Sequence, residues 1–133
     1  MSSLPVLTHG ALVYDETTGQ GHMDERRLIK EIITPFGTVT EITVLAIHPL
    51  GLHCHDYTEK MILSGGQGRL ITQPVNEDGE LVGVRVETYI QAPYFMYIPI
   101  GLVHTFYLDS DSILYVMTEQ RFNSDETHRI SLL

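Results

Sequence analysis

"GLHCHDYTEKMILSGG", residues 51–66, carries two histidines two positions apart, a glutamate four residues further on and a closing glycine pair. In an extended strand, side chains alternate between faces, and residues two apart stand roughly 6.5–7 Å from one another on the same face. His53 and His55 therefore aim at one side of a strand and Cys54 at the other. Cys54 is expected to serve packing or a subunit contact, not the same ion. "DYT" can bend the chain into a neighbouring strand, which brings Glu59 alongside the two histidines. The glycines of "SGGQG" then permit a tight turn.

A second stretch, "YIPIGLVHTF" at residues 97–106, supplies the fourth group. Pro99 and Gly101 form a corner and His104 begins the next strand. His53, His55, Glu59 and His104 together are three neutral nitrogen donors and one carboxylate oxygen. Such a set holds a divalent ion and keeps one or two positions open for water or substrate. The donors suit Fe(II), Mn(II), Ni(II), Co(II) or Zn(II) and do not choose among them. A single strand histidine reads as a packing residue; four ligand-type residues in two such runs read as a metal set. Met61 and Leu63 alternate with Glu59, and Phe106 follows His104 by two, so all three are expected to line the same lumen. An apolar wall excludes water and strengthens the pull of an ion on a bound substrate.

Turn signals recur at short intervals: "ETTGQG", "TPFG", "HPLG", "SGGQG", "NEDGE", "QAP" and "PIG". Runs rich in Val, Ile, Thr, Tyr and Phe lie between them, a pattern of short strands in a sandwich or barrel. Strands are expected over residues 28–34, 38–47, 52–56, 60–63, 69–75, 81–92, 94–98, 105–108 and 112–118. "NEDGE" is a hairpin loop in which Asp78-Gly79 supplies the positive φ angles. A helix over "MDERRLIKEII" competes for the first strand, since Leu28, Ile29, Ile32 and Ile33 fit a helical stripe. "TPFG" would stop that helix after about three turns, and strand is preferred. The whole is read as one domain, with an N-terminal arm at 1–26, a barrel at 27–118 and a C-terminal tail at 119–133, "QRFNSDETHRISLL" being a loop against the barrel.

The 133 residues suffice for one domain with a real core. Eight basic against 17 acidic residues leave a net charge of -9, which argues against nucleic acid and against an anionic membrane surface as partners. One cysteine excludes an internal disulfide and fits a reducing compartment. "MSSLPVLTHG" lacks a basic segment followed by an apolar core, and no apolar run reaches membrane-spanning length. A cytoplasmic location is expected.

The run H-C-H-D-Y-T-E with Gly66 resembles the first motif of the cupins, and P-I-G-L-V-H resembles the second. The resemblance implies an all-β fold, the cupin double-stranded β-helix or jelly-roll barrel, with the ion in its mouth, and a homodimer. Ile47 stands where the first motif has a glycine, and Leu108 where the second usually has an asparagine; neither change removes a ligand. "MDERRLIKEI", the Thr-Glu-Lys at 58–60 and "TEQRFNSDETH" further resemble sugar-modifying cupins. These include the C-terminal cupin of capsular polysaccharide reductases and the nucleotide-sugar keto-isomerases and epimerases. Arg27 stands where that group has glycine, and Leu50 where several members have an arginine near the substrate, which weakens the case for a nucleotide diphosphate.

Three functions follow as expectations. The first is a metal-dependent isomerase or epimerase of a keto-sugar or similar small hydroxy-carbonyl compound, the second an Fe(II) dioxygenase, the third a non-catalytic small-molecule-binding module. The first needs a proton-moving group, for which His48, Tyr57 and Tyr97 are the candidates. Tyr94 and Tyr107 carry phenols that read as packing residues. His9, His22 and His128 read as solvated. Lys60 and Arg69 are candidates for substrate charge, with exposed ion pairing as the alternative.

Overall fold

The computed structural model describes residues 4–15, 22–23, 25–55, 58–119 and 127–129, with backbone alone at 14–15, 22–23, 51–55 and 127–129. Twelve strands build it: β1 (Tyr14–Asp15), β2 (His22–Met23), β3 (Arg27–Thr34), β4 (Gly37–Val44), β5 (Pro49–His55), β6 (Glu59–Gly65), β7 (Gln67–Pro74), β8 (Val86–Gln91), β9 (Tyr94–Ile98), β10 (Leu102–Leu108), β11 (Ile113–Thr118) and β12 (Thr127–Arg129). Every pairing is antiparallel. One sheet runs β1-β3-β4-β11-β6-β9, with β2 also on β3; the other runs β12-β5-β10-β7-β8. No helix occurs among the described residues.

The inner faces of the two sheets meet in one core. Val44, Met61, Leu63, Met96, Ile98, Leu114 and Val116 come from the first sheet, and Leu50, Leu70, Ile90, Phe106 and Leu108 from the second. Met61, Leu63 and Phe106 are 3%, 0% and 2% exposed, as the alternation predicts. Strand β10 is central in its sheet and buried on both faces from Val103 to Phe106, so its period-2 signal is lost.

"MDERRLIKEII" is strand, not helix, because Ile29 and Glu31 go inward while Lys30 and Ile32 alternate with them. The turn after it is closed by Thr34, whose Oγ1 donates to Gly37 O at 2.8 Å and accepts from Phe36 N at 3.0 Å. Several expected boundaries move. The strand expected to reach residue 47 stops at Val44, because the amides of Leu45 and Ala46 both donate to Arg26 O. The strand expected over 81–92 is formed only over Val86–Gln91, with Leu81 in an isolated bridge to Val75. Gly83, at φ 68°, turns the chain between them, and Val82 N donates back to Pro74 O. In the hairpin loop only Gly79 takes a positive φ, 79°. Asp78 does not, because Asn76 Oδ1 accepts from the amides of both Asp78 and Glu80 and shapes the loop instead. The tail, expected as a loop, contributes β12 beside β5.

Gly66 turns β6 into β7 at φ 88°. A Cβ there would overlap Ser112 Oγ and lie 2.7 Å from Ser112 Cα. Left-handed backbone and a backbone-level clash act together, so Gly66→Ala is expected to cost about 2–4 kcal/mol in denaturant unfolding. Leu63 is fully buried in the core; Leu63→Ala should cost a comparable amount, about 2–5 kcal/mol, through lost transfer energy and a residual cavity. Chemical denaturation of the two variants checks both, and a loss under about 1 kcal/mol in either would contradict the packing described.

Candidate metal centre

Glu59 opens β6, opposite Ile98 of β9, and is 6% exposed. His104 is the third residue of β10 and is 1% exposed. One group comes from each sheet, and Glu59 Oε1 stands 3.2 Å from His104 Nε2. Gly101, at φ 81°, makes the corner that launches β10. His104 Nδ1 lies 3.1 Å from Leu102 O. A carbonyl only accepts, so Nδ1 carries the proton and Nε2 of the neutral ring is left with its lone pair. That lone pair meets a carboxylate oxygen away from water. Two such electron-rich atoms repel unless a positive charge joins them, either a proton on Nε2 or a cation shared by both.

The backbone brings a third position to the same level. His53 on β5 is the register partner of His104, and Thr72 on β7 is its partner on the other side. Between His104 and Thr105 the β5–β10 register shifts: Thr105 pairs with Gly51 and Phe106 with Leu50, so Leu52 is an extra residue. This bulge places Leu50 and His53, three apart in sequence, both opposite inward-facing residues of β10. Thr105, buried, fastens it by donating from Oγ1 to Leu50 O at 3.1 Å. His55, two further along β5, pairs with Thr127 of β12, and Cys54 with His128. The side chains of His53, Cys54, His55, His22 and His128, and the whole of Tyr57, lie outside the described residues. Among the described residues no group of three or more His, Cys, Asp or Glu assembles; the described part of the expected set is the pair Glu59 and His104.

Thr72 was not singled out by sequence reasoning. A threonine in a strand carries no local signal, and only its register opposite His104 puts a hydroxyl on that face. The ring of Phe106 packs edge-on to that of His104, with centroids 6.2 Å apart and planes at 69°.

Two expected proton-moving groups are elsewhere. His48 is buried, but it precedes Pro49, which pairs with Tyr107, so it sits at the level of Leu108. That is four residues along β10 from His104, roughly 13 Å at strand rise. Its Nδ1 donates to Ala46 O at 2.7 Å and its Nε2 lies 3.5 Å from Arg27 Nη1, so both ring nitrogens face structural partners. Tyr97 alternates with the buried Met96 and Ile98, pairs with Lys60 and is 56% exposed. It stands on the outer face of its sheet, away from Glu59. Arg69 is also outward: it pairs with Glu87 at 2.7 Å and lies over the Tyr107 ring at 5.0 Å, the ion-pair alternative foreseen for it. Leu108 and Leu50 fill the core, and Ile47 and His9 are exposed.

No family model and no curated protein sequence matches the chain. Solved structures do. The capsular polysaccharide assembling protein CapF from Staphylococcus aureus is similar at 20% identity with a TM-score of 0.71, over 93% of this chain and 33% of that one. CapF with the inhibitor 3-isopropenyl-tropolone is similar at 21% identity with a TM-score of 0.71, over 92% of this chain and 34% of that one. Oxalate decarboxylase from Bacillus subtilis is similar at 16% identity with a TM-score of 0.65, over 91% of this chain and 33% of that one. The chain spans about a third of the length of these proteins, and the likeness is one of fold. No helix among the described residues is long and apolar enough to cross a membrane. Two facing antiparallel sheets, the corner at Gly101 and the shared architecture lead to one conclusion: the chain has the all-β cupin jelly-roll fold.

Proposed function

We propose that this barrel is a metal-binding cupin that isomerises or epimerises a keto-sugar or similar small hydroxy-carbonyl compound. One divalent transition metal would be held by His53, His55, Glu59 and His104. The observation that supports this is the buried 3.2 Å contact of Glu59 Oε1 with His104 Nε2, one from each sheet, with His53 in register beside His104. The donor set fits a borderline ion, and the tautomer fixed by Leu102 O leaves Nε2 as a ligand-ready lone pair. When bound, the ion supplies Lewis acidity toward a substrate carbonyl oxygen.

The chain's own residues do the rest. Met61, Met96, Ile98 and Phe106 wall the inner face and exclude water. Thr72 presents a hydroxyl beside His104 that suits a substrate oxygen. A proton must leave and return at the carbon next to the carbonyl. With His48 at the far end of β10 and Tyr97 on the outer face, Tyr57, two residues before Glu59, is the group proposed for that transfer. The ligand class also agrees with the tropolone inhibitor of CapF, since a tropolone is a hydroxyl beside a ring carbonyl.

Metal content comes first among the tests. Protein purified without added metal should carry close to one equivalent, and His104→Ala and Glu59→Gln should each lose at least about tenfold in metal affinity. Equal, near-zero content in all three proteins would remove the site.

In deuterated water the metal-loaded protein should exchange the proton beside the carbonyl of a hydroxy-ketone substrate. Tropolone should inhibit the exchange. Tyr57→Phe should slow it by about 10²–10⁴-fold with metal content unchanged. Oxygen uptake on an iron-loaded sample without exchange would favour the dioxygenase reading, and ligand stabilisation without turnover a binding module.

A further inference from the structure

The strand threonines of this chain divide by what their hydroxyls do. Thr34 and Thr105 are tied to the backbone: Thr34 Oγ1 donates to Gly37 O at 2.8 Å, and Thr105 Oγ1 to Leu50 O at 3.1 Å. Thr38 and Thr40 on β4 and Thr72 on β7 form no side-chain hydrogen bond among the described residues. All three point inward. Thr38 and Thr40 share the face of Ile42 and Val44, which pack in the core, and Thr72 follows the core residue Leu70 by two. None of the three hydroxyls is sealed away as Ser112 Oγ is. Valine has the same shape and suits a strand at least as well. Packing alone gives no reason for a hydroxyl at these places.

Register puts the β4 threonines on one side of the Glu59–His104 pair. Lys60 pairs with Met117, which sets Thr118 level with Glu59, and Thr38 is the register partner of Thr118. Thr38 is therefore two strands from Glu59, roughly 10 Å, and Thr40 lies roughly 7 Å further along β4. The opposite side is apolar: Ile98 pairs with Glu59, and Val86 pairs with Thr72. Ile33, the partner of Thr38, is 46% exposed, so this row opens at the mouth of the barrel.

No cation among the described residues faces this wall. Lys30 and Lys60 alternate to the outer face beside Glu31 and Glu59, and Arg69 is held outside by Glu87. Arg26 and Arg85 are exposed and lie off the strands, and Arg27 lies beside His48 at the far end. A phosphate drawn in here would lose water without a described positive side chain to replace it. Hydroxyls donate and accept, as the neutral hydroxyls of a sugar chain do.

We infer that the substrate beyond its reacting carbonyl is a neutral polyhydroxyl chain, a free pentulose or hexulose without phosphate, whose distal hydroxyls are read by Thr38 and Thr40. This rests on the proposed function, in which the carbonyl end lies at Glu59 and His104. The sheet spacing matches: the hydroxyls of such a chain run away from the carbonyl along the one polar direction of the lumen.

Calorimetric titration of the Zn(II)-loaded protein with D-xylulose, dihydroxyacetone and dihydroxyacetone phosphate tests this. Xylulose should bind at least about tenfold more tightly than dihydroxyacetone, which lacks the distal hydroxyls. Thr38→Val and Thr40→Val should each weaken xylulose by about 3–10-fold and leave dihydroxyacetone within about twofold. Thr43→Val, on the outer face of the same strand, should change neither. The phosphate ester should bind no more tightly than dihydroxyacetone itself. Circular dichroism melting and metal analysis confirm that each variant is folded and loaded. Variants that weaken both ketoses equally, or neither, overturn the inference, as does a phosphate ester bound about tenfold more tightly than its parent. Dihydroxyacetone bound as tightly as xylulose, with proton exchange in deuterated water, overturns it and leaves the isomerase reading standing. A threonine-dependent preference for xylulose without exchange removes the isomerase reading and supports the inference. Binding of none of the three compounds overturns both.

Discussion

The barrel closes on a contact between two groups that water would otherwise keep apart. Glu59 and His104 are 45 positions apart in the chain, sit on different sheets and are almost fully buried, yet their polar atoms lie 3.2 Å from each other. A carboxylate and an imidazole lone pair do not hold such a position unless positive charge joins them. The surrounding architecture serves that placement. Gly66 lets β6 turn into β7, Gly101 launches β10 at the right residue, and the Leu102 carbonyl fixes the ring by its tautomer. The β5 bulge lines up His53 beside His104 while Leu50 stays in the core.

The two motifs made the fold class readable from the residues, because glycine and proline at corners and alternating apolar residues between them admit few architectures. Met61, Leu63 and Phe106 were found by period alone. The failures have physical causes. His48 and His53 both bring an imidazole to the β5 segment. The strand carries them to different levels, and the bulge that sets the phase has no signature in "PLGLHCH". Tyr97 is a candidate for its phenol alone, and its chain neighbours Met96 and Ile98 hold the inner face. Thr72 and β12 depend on cross-strand register, which no local pattern encodes. Asp78 was assigned a left-handed conformation that the Asn76 side chain makes unnecessary.

The register of β6 against β9 fixes one half of the site. Glu59, Met61 and Leu63 alternate inward along β6, opposite Ile98, Met96 and Tyr94 of β9, and Lys60 and Ile62 alternate outward. A one-residue slip of β6 would therefore turn Glu59 away from His104 and carry Lys60 and Ile62 into the core.

The most direct measurement is X-ray absorption at the metal edge of the protein loaded with one equivalent of Zn(II). The expected result is a first shell of nitrogen and oxygen at about 2.0–2.2 Å, with outer-shell scattering from close to three imidazoles. A shell without imidazole, or one with sulfur from Cys54 at about 2.3 Å, would contradict it.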